Sequence, residues 1–228
     1  MVHTELARTE TCVFDAYGTL FDVTSAAQRC ADALENKADA LATLWRTSQL
    51  QYTWLRSLMG KHADFWQVTG EALDHAMDAL GISDDALKTQ LIELYLVLSA
   101  YPDAKLALVA LRRAKRPAAI LSNGSPKMLA AAVTSAGLGD LLNAVLSVED
   151  IGVYKPHPTV YQLAVERLGV PAARICFVSS NGWDAVGASA FGMNAVWVNR
   201  SGLKIERLPA KPITQIKRLD ELPTLLGL

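Results

Sequence analysis

Cysteine is scarce in this 228-residue chain: Cys12, Cys30 and Cys176 form an odd set with no CxxC spacing. The set gives no sign of a disulfide framework. Two of the three, Cys12 and Cys176, stand inside apolar strand-like runs, and buried free thiols are the expectation. An excess of charge is missing too, with 22 basic against 23 acidic residues and a formal net charge of -1. No global field attracts nucleic acid or an anionic membrane, so an anionic ligand has to be met by a local site, and the expected partner is a small molecule. There is no uninterrupted apolar run of the roughly 18 residues that span a bilayer. The start, MVHTELARTE, lacks the basic-then-apolar order of a signal peptide, so a cytoplasmic location is expected. Internal repeats and low-complexity tracts are also absent. With 51% hydrophobic and 20% charged residues, what remains has the composition of an ordinary globular protein.

Five short apolar runs read as strands: Thr11 to Asp15, Ala118 to Ser122, Ala144 to Ser147, Arg174 to Ser179 and Ala195 to Asn199. Their continuous apolarity suggests a parallel sheet covered on both faces. Between the last four lie amphipathic stretches that stop at glycine: Pro126 to Ala136 before Gly137, Pro158 to Leu168 before Gly169, and Trp183 to Phe191 before Gly192. The interval from Val23 to Ala100 differs, because its apolar residues recur at helical spacing, as in Leu41, Leu44, Trp45 and Tyr52, Leu55, Leu58, Met59. Gly60, Gly70 and Gly81 are expected to divide it into several helices. A crossover of that length is too long for one helix. The fold class expected is therefore α/β, a Rossmann-like parallel sheet core (1–22 and 101–228) with an inserted all-helical cap subdomain (23–100).

Open parallel sheets bind ligands outside the carboxyl ends of their strands, and polar chemistry gathers there. The first run ends at Asp15, the second at Ser122 and Asn123, the third leads to Lys155-Pro156, and the fourth ends at Ser179 before Asn181, Trp183 and Asp184. Each has a bland reading alone. Asp15 could cap a turn, Lys155 could be solvated, and Asp184 could answer a helix dipole in a first turn. Four segments bringing such groups to one edge weaken those readings jointly.

The segments FDAYGTLFD, LSNG, VYKPHPTVY and FVSSNGWDAVGA resemble, in order, the four motifs of the haloacid dehalogenase superfamily. With LWRTSQLQYTWLRSLMGKHADFW they are similar to its L-2-haloacid dehalogenase (type II) branch over nearly the whole chain. The resemblance implies a hydrolase that uses neither a cofactor nor a metal. Asp15 would displace halide from C2 of an L-2-haloalkanoate with inversion, forming an ester that water then hydrolyses to a D-2-hydroxy acid. It also implies a homodimer.

Site roles carried over from the family fall on matching positions. Ser122 would hold the substrate carboxylate, Lys155 would compensate charge around Asp15, and Arg46 with Asn123 would accept the halide. Tyr17, Leu50, Phe65 and Trp183 would form the apolar pocket. Asp184 would activate water or orient Lys155, with Asn181, Ser179 and Thr19 as positioning groups and Tyr161 nearby. Without the family, Arg46 reads as a solvated helix arginine, Leu50 and Phe65 as core, and Tyr161 as a packing aromatic. Thr47 and Gly182 depart from the usual glutamine and alanine, and Thr47, beside Arg46, could change pocket size. His3, His62, His75 and His157 fit no nucleophile or metal-ligand spacing and are expected at the surface or in packing.

Two other readings compete. One is a magnesium-dependent phosphatase, although such relatives carry an acidic residue where Tyr17 stands and further acids where Ser179, Ser180 and Asn181 stand. The other is a non-catalytic binding module.

Overall fold

A computed structural model describes residues 2–23 and 34–228. Its centre is a six-stranded sheet in the order β3-β2-β1-β4-β5-β6, with β1 at Thr11–Phe14, β2 at Ala118–Ser122, β3 at Ala144–Ser147, β4 at Ile175–Ser179, β5 at Asn194–Val198 and β6 at Thr214–Ile216. Every neighbouring pair is parallel. All residues of β1, β2 and β4 are buried, which is what their uninterrupted apolar sequences require of strands covered on both faces. Five strands match the expected runs, and β6 is the addition. It is three residues long, carries polar Thr214 and Gln215, and lies at the sheet edge, so it gives no buried-strand pattern to read. Cys12 and Cys176 face each other in the β1–β4 register as buried free thiols. Cys30 lies outside the described residues.

From β1 the chain order runs one way to β2 and β3 and the other way to β4, β5 and β6. The carboxyl ends of β1 and β4 thus flank the point where the order reverses, the place where such sheets open a crevice.

Helices α5 (Pro102–Arg113), α6 (Pro126–Ser135), α7 (Pro158–Leu168) and α8 (Gly182–Phe191) follow the sheet, after the short α1 (Thr4–Ala7) and before α9 (Leu222–Leu226). Proline occupies the first position of α5, α6 and α7, where its missing N–H costs nothing. Between β1 and α5 the described chain is helical: α2 (Ala38–Met59), α3 (Phe65–Ala79) and α4 (Asp85–Glu93). Asp64 and Asp84 cap α3 and α4 by accepting the N–H of Gln67 and Leu87, each at 2.9 Å. Gly60 ends α2 with φ 62°, a left-handed conformation that glycine adopts without a Cβ clash. Gly70 does not divide helices as expected; it lies inside α3. A Cβ there would stand 3.3 Å from Ile92 Cδ1, so the glycine serves close packing of α3 against α4 rather than a turn.

The chain enters and leaves this helical segment through paired backbone. Phe21 bridges Ala100 in antiparallel fashion, Asp22 N–H donates to Ser99 O and Tyr101 N–H donates to Leu20 O, both at 2.9 Å. There is a second tie. Glu149, after β3, pairs with His62 at 2.9 Å and accepts the Phe65 N–H at 3.2 Å, while the Tyr154 hydroxyl donates to Ala63 O at 2.5 Å. These bonds hold the start of α3 over the carboxyl end of the sheet. No described helix is long and apolar enough to cross a membrane.

Candidate active site

Asp15 follows β1, where its N–H donates to Val178 O of β4 at 2.9 Å, and the residue is 7% exposed. The next residues form a tight flap in which Gly18, at φ 84°, makes a turn that a residue with a Cβ would adopt only under strain. That turn brings Thr19 back over Asp15. Three donors converge on Asp15 Oδ2: Asn181 Nδ2 at 2.9 Å, Thr19 Oγ1 at 3.2 Å and Ser179 Oγ at 3.4 Å. Among the described residues, Asp15 Oδ1 receives only the Lys155 ammonium, at 3.2 Å.

Lys155 is 1% exposed, and its Nζ also donates to Asp184 Oδ2 at 2.9 Å. Its backbone is pinned as well, since Lys155 N–H donates to Asn123 Oδ1 at 3.0 Å. Burial alone disfavours the ammonium, but Asp15 and Asp184 outweigh it and hold the Lys155 pKa above its ordinary value. Two carboxylates share this one cation. Burial raises the Asp184 pKa to about 6, and the charge of Asp15 adds to the rise against the opposing pull of Lys155. A buried carboxylate brought near neutrality is suited to exchange a proton with water. The Tyr161 hydroxyl donates to Asp184 Oδ1 at 2.9 Å. Room for that hydroxyl comes from Gly187 in α8, where a Cβ would stand 2.5 Å from Tyr161 Oη and 2.8 Å from Pro156 Cβ.

Above this polar floor stands an apolar wall. The Tyr17 ring lies against Phe65, with centroids 5.9 Å apart at 26°, and Trp183 meets Trp54 edge-on at 5.4 Å. Among the described residues the buried Tyr17 hydroxyl has no hydrogen-bond partner, and burial raises its pKa, so it stays a neutral phenol. Gly124 makes that placement possible, because a Cβ there would approach Tyr17 Cε2 to 2.7 Å. Ser122 Oγ accepts the Gly124 N–H at 3.1 Å, which leaves its own proton to give. Arg46 enters from α2 and donates to Gln49 Oε1 at 2.7 Å and Asn181 Oδ1 at 3.3 Å.

One small cavity joins these groups. It is lined by Asp15, Tyr17, Arg46, Leu50, Phe65, Ser122, Asn123, Lys155, Asn181 and Trp183, and its volume for the centre of a water-sized sphere is about 10 Å³. That is room for about a single water. Ten of the residues read from the sequence therefore face one space, and the other four stand behind it: Thr19 and Ser179 bond Asp15, Asp184 bonds Lys155, and Tyr161 bonds Asp184.

Thr47 does not belong to this wall. It is exposed, and its hydroxyl turns back to Thr43 O at 2.8 Å, because one step along a helix from Arg46 points to a different face. Gly182 leaves space for the Glu206 carboxylate, which a Cβ would strike. Gln49, which accepts from Arg46, Thr69, which accepts from Gln49 Nε2 at 2.7 Å, and Tyr95, whose ring centroid lies 5.9 Å from that of Tyr17, escaped the sequence reading. The spacing of three residues between Arg46 and Gln49 was a signal for the first, whereas no local pattern links Thr69 or Tyr95 to the site. The histidines take packing or pairing roles: His62 bonds Glu149, His157 caps α7 by accepting the Thr159 N–H, and the His75 ring lies near that of Tyr52. Among the described residues no three His, Cys, Asp or Glu side chains gather as metal ligands would.

Comparison with known proteins bears on this geometry. A family profile described as haloacid dehalogenase-like hydrolase matches residues 9–192. The chain is 48% identical to (S)-2-haloacid dehalogenase 1 of Pseudomonas sp. strain CBS-3, over 94% of this chain and 95% of that protein. It is 49% identical to (S)-2-haloacid dehalogenase 4A of Burkholderia cepacia, over 95% and 94%. Among solved structures, the L-2-haloacid dehalogenase of Xanthobacter autotrophicus with chloropropionic acid covalently bound superposes with a TM-score of 0.88 at 40% identity, covering 96% of this chain and 98% of that one.

Proposed function

The chain belongs to the haloacid dehalogenase-like hydrolases, and on that premise we propose that it hydrolyses short L-2-haloalkanoic acids to D-2-hydroxy acids and halide. The observation that carries the reading is the asymmetric environment of Asp15: three neutral donors on Oδ2 and one ammonium on Oδ1. Oδ1 keeps the freer lone pairs and is the attacking atom. It forms a bond to C2 from the side opposite the halogen, the carbon–halogen electron pair leaves with the halide, and configuration inverts. Oδ2 becomes the ester carbonyl oxygen, already facing the donors that will stabilise it when water adds at Cγ. Asp184 takes a proton from that water, the bond from Cγ to Oδ1 breaks, and the departing alkoxide oxygen takes up that proton as the hydroxy acid leaves.

Lys155 makes the first step feasible. A substrate carboxylate and Asp15 at about 4 Å, with an effective dielectric near 20, repel by about 4 kcal/mol. Ser122 and backbone amides near Tyr17 hold the substrate carboxylate, Arg46 and Asn123 receive the halide, and Tyr17, Leu50, Phe65 and Trp183 enclose the carbon. Residues 23–100 act as a cap over a core of 1–22 and 101–228. The bridged backbone at Phe21 and Ala100 serves as its hinge, and the cap and core part to admit substrate, since the closed cavity holds little more than one water.

The magnesium ion of phosphoryl-transfer relatives does not fit these residues. Near Asp15 the partners are hydroxyls, an amide and the Lys155 ammonium, whereas magnesium asks for carboxylate and water oxygens. The proposal includes a cytoplasmic homodimer, for which exposed Leu55, Leu58 and Met59 on α2 offer an apolar contact.

Chloride release from each enantiomer of 2-chloropropionate, with and without chelator, tests this reading. L-2-Chloropropionate should yield D-lactate at a rate that chelation leaves unchanged. Magnesium-dependent hydrolysis of phosphate esters without chloride release would refute it.

A further inference from the structure

A guanidinium on a long stem has many rotamers unless its surroundings hold it. Arg46 is held by Gln49, three positions along α2 and fully buried, at 2.7 Å. The direction in which Gln49 points is fixed by the protons behind it. Thr69 Oγ1 gives its single proton to Phe65 O at 2.5 Å, so it accepts from Gln49 Nε2 at 2.7 Å. With its nitrogen committed there, Gln49 presents its oxygen to Arg46. Trp45 Nε1 donates to Thr69 O at 2.9 Å and ties this turn of α3 to α2.

The chemical type of the partner matters as much as its aim. A carboxylate would bind the guanidinium more strongly, but it would cancel the charge a departing anion needs. Among the described residues, both side-chain acceptors of Arg46, on Gln49 and Asn181, are neutral amide oxygens. We propose that Gln49 is a positioning residue that aims Arg46 at the departing halide while leaving its positive charge uncompensated. This inference rests on the reading of Arg46 as halide acceptor.

Gln49→Glu keeps the shape and adds the charge, and Gln49→Met removes the acceptor. Bromide titrated into the full-length protein by calorimetry reads the site without turnover, and kcat for L-2-chloropropionate and L-2-bromopropionate reads it in catalysis. Gln49→Glu should weaken bromide binding at least tenfold and lower kcat more for the chloride, the poorer leaving group, with KM little changed. Gln49→Met should lose binding in the same direction but less, because Arg46 keeps its charge and loses its aim. Equal losses for both halides tracking a lower Tm would mean a structural role and overturn the inference. So would Gln49→Glu binding bromide as the unmodified protein does while Arg46→Ala loses it. If Arg46→Ala itself keeps bromide binding and turnover, the assignment of Arg46 fails first, and the inference with it.

Discussion

Asp184 should impose a pH limit on the second half of the reaction. Its pKa stands at about 6 against an ordinary 3.8, because the side chain is fully buried and Asp15 lies close by. A base with that pKa is about nine-tenths ionised at pH 7 and about one-tenth at pH 5; esterification removes the charge of Asp15 and with it one cause of the rise, so ester hydrolysis should slow by up to about tenfold over that interval. Stability runs in the opposite direction. Between pH 3.8 and about 6 the folded protein binds a proton that the unfolded chain has released, so this group's contribution falls as pH rises through that window. The difference corresponds to about 3 kcal/mol lost by pH 7. Acid quenching during turnover of L-2-chloropropionate, followed by intact mass measurement, gives the ester fraction directly. The Asp15 adduct should accumulate at pH 5, disappear at pH 7 and persist at both in Asp184→Asn. A rate independent of pH across the range, or an unchanged profile in Asp184→Asn, would refute the role of Asp184 as water activator.

Two other perturbations follow from the geometry. Arg46→Ala should lower chloride release about a hundredfold or more, the scale of losing a donor to a developing anion, while stability in urea falls by only about 1 to 2 kcal/mol for the Gln49 oxygen left unpaired; parallel losses of activity and stability would contradict this. Gly187→Ala should displace the Tyr161 hydroxyl from Asp184, since its Cβ would stand 2.5 Å from that oxygen. Its kcat should match that of Tyr161→Phe, the double variant should be no slower than either, and additive losses would show that Gly187 acts elsewhere.

Much of this architecture could be read in the chain because its causes are local. The apolar runs at Cys12, Ala119 and Cys176 had to be strands buried on both faces, and polar residues at their ends had to meet where the strand order reverses. Gly70 misled because a glycine in a helix can mark either a break or a close approach, and only the position of Ile92 decides between them. β6 was hidden by its shortness and polarity. At the site, residues anchored to strand ends were legible, whereas Thr69 and Gly187 take their meaning from partners on other helices. Thr47 was misjudged because neighbours in sequence diverge by about 100° around a helix, so adjacency to Arg46 does not place it at the cavity.

The central claim is that the Asp15 carboxylate becomes esterified to carbon and is released by water attacking its own Cγ. One turnover of L-2-chloropropionate with excess protein in ¹⁸O water decides it: after proteolysis, the peptide containing Asp15 should gain the heavy oxygen while the lactate formed carries none. Heavy oxygen in the lactate with an unlabelled Asp15 would contradict the account.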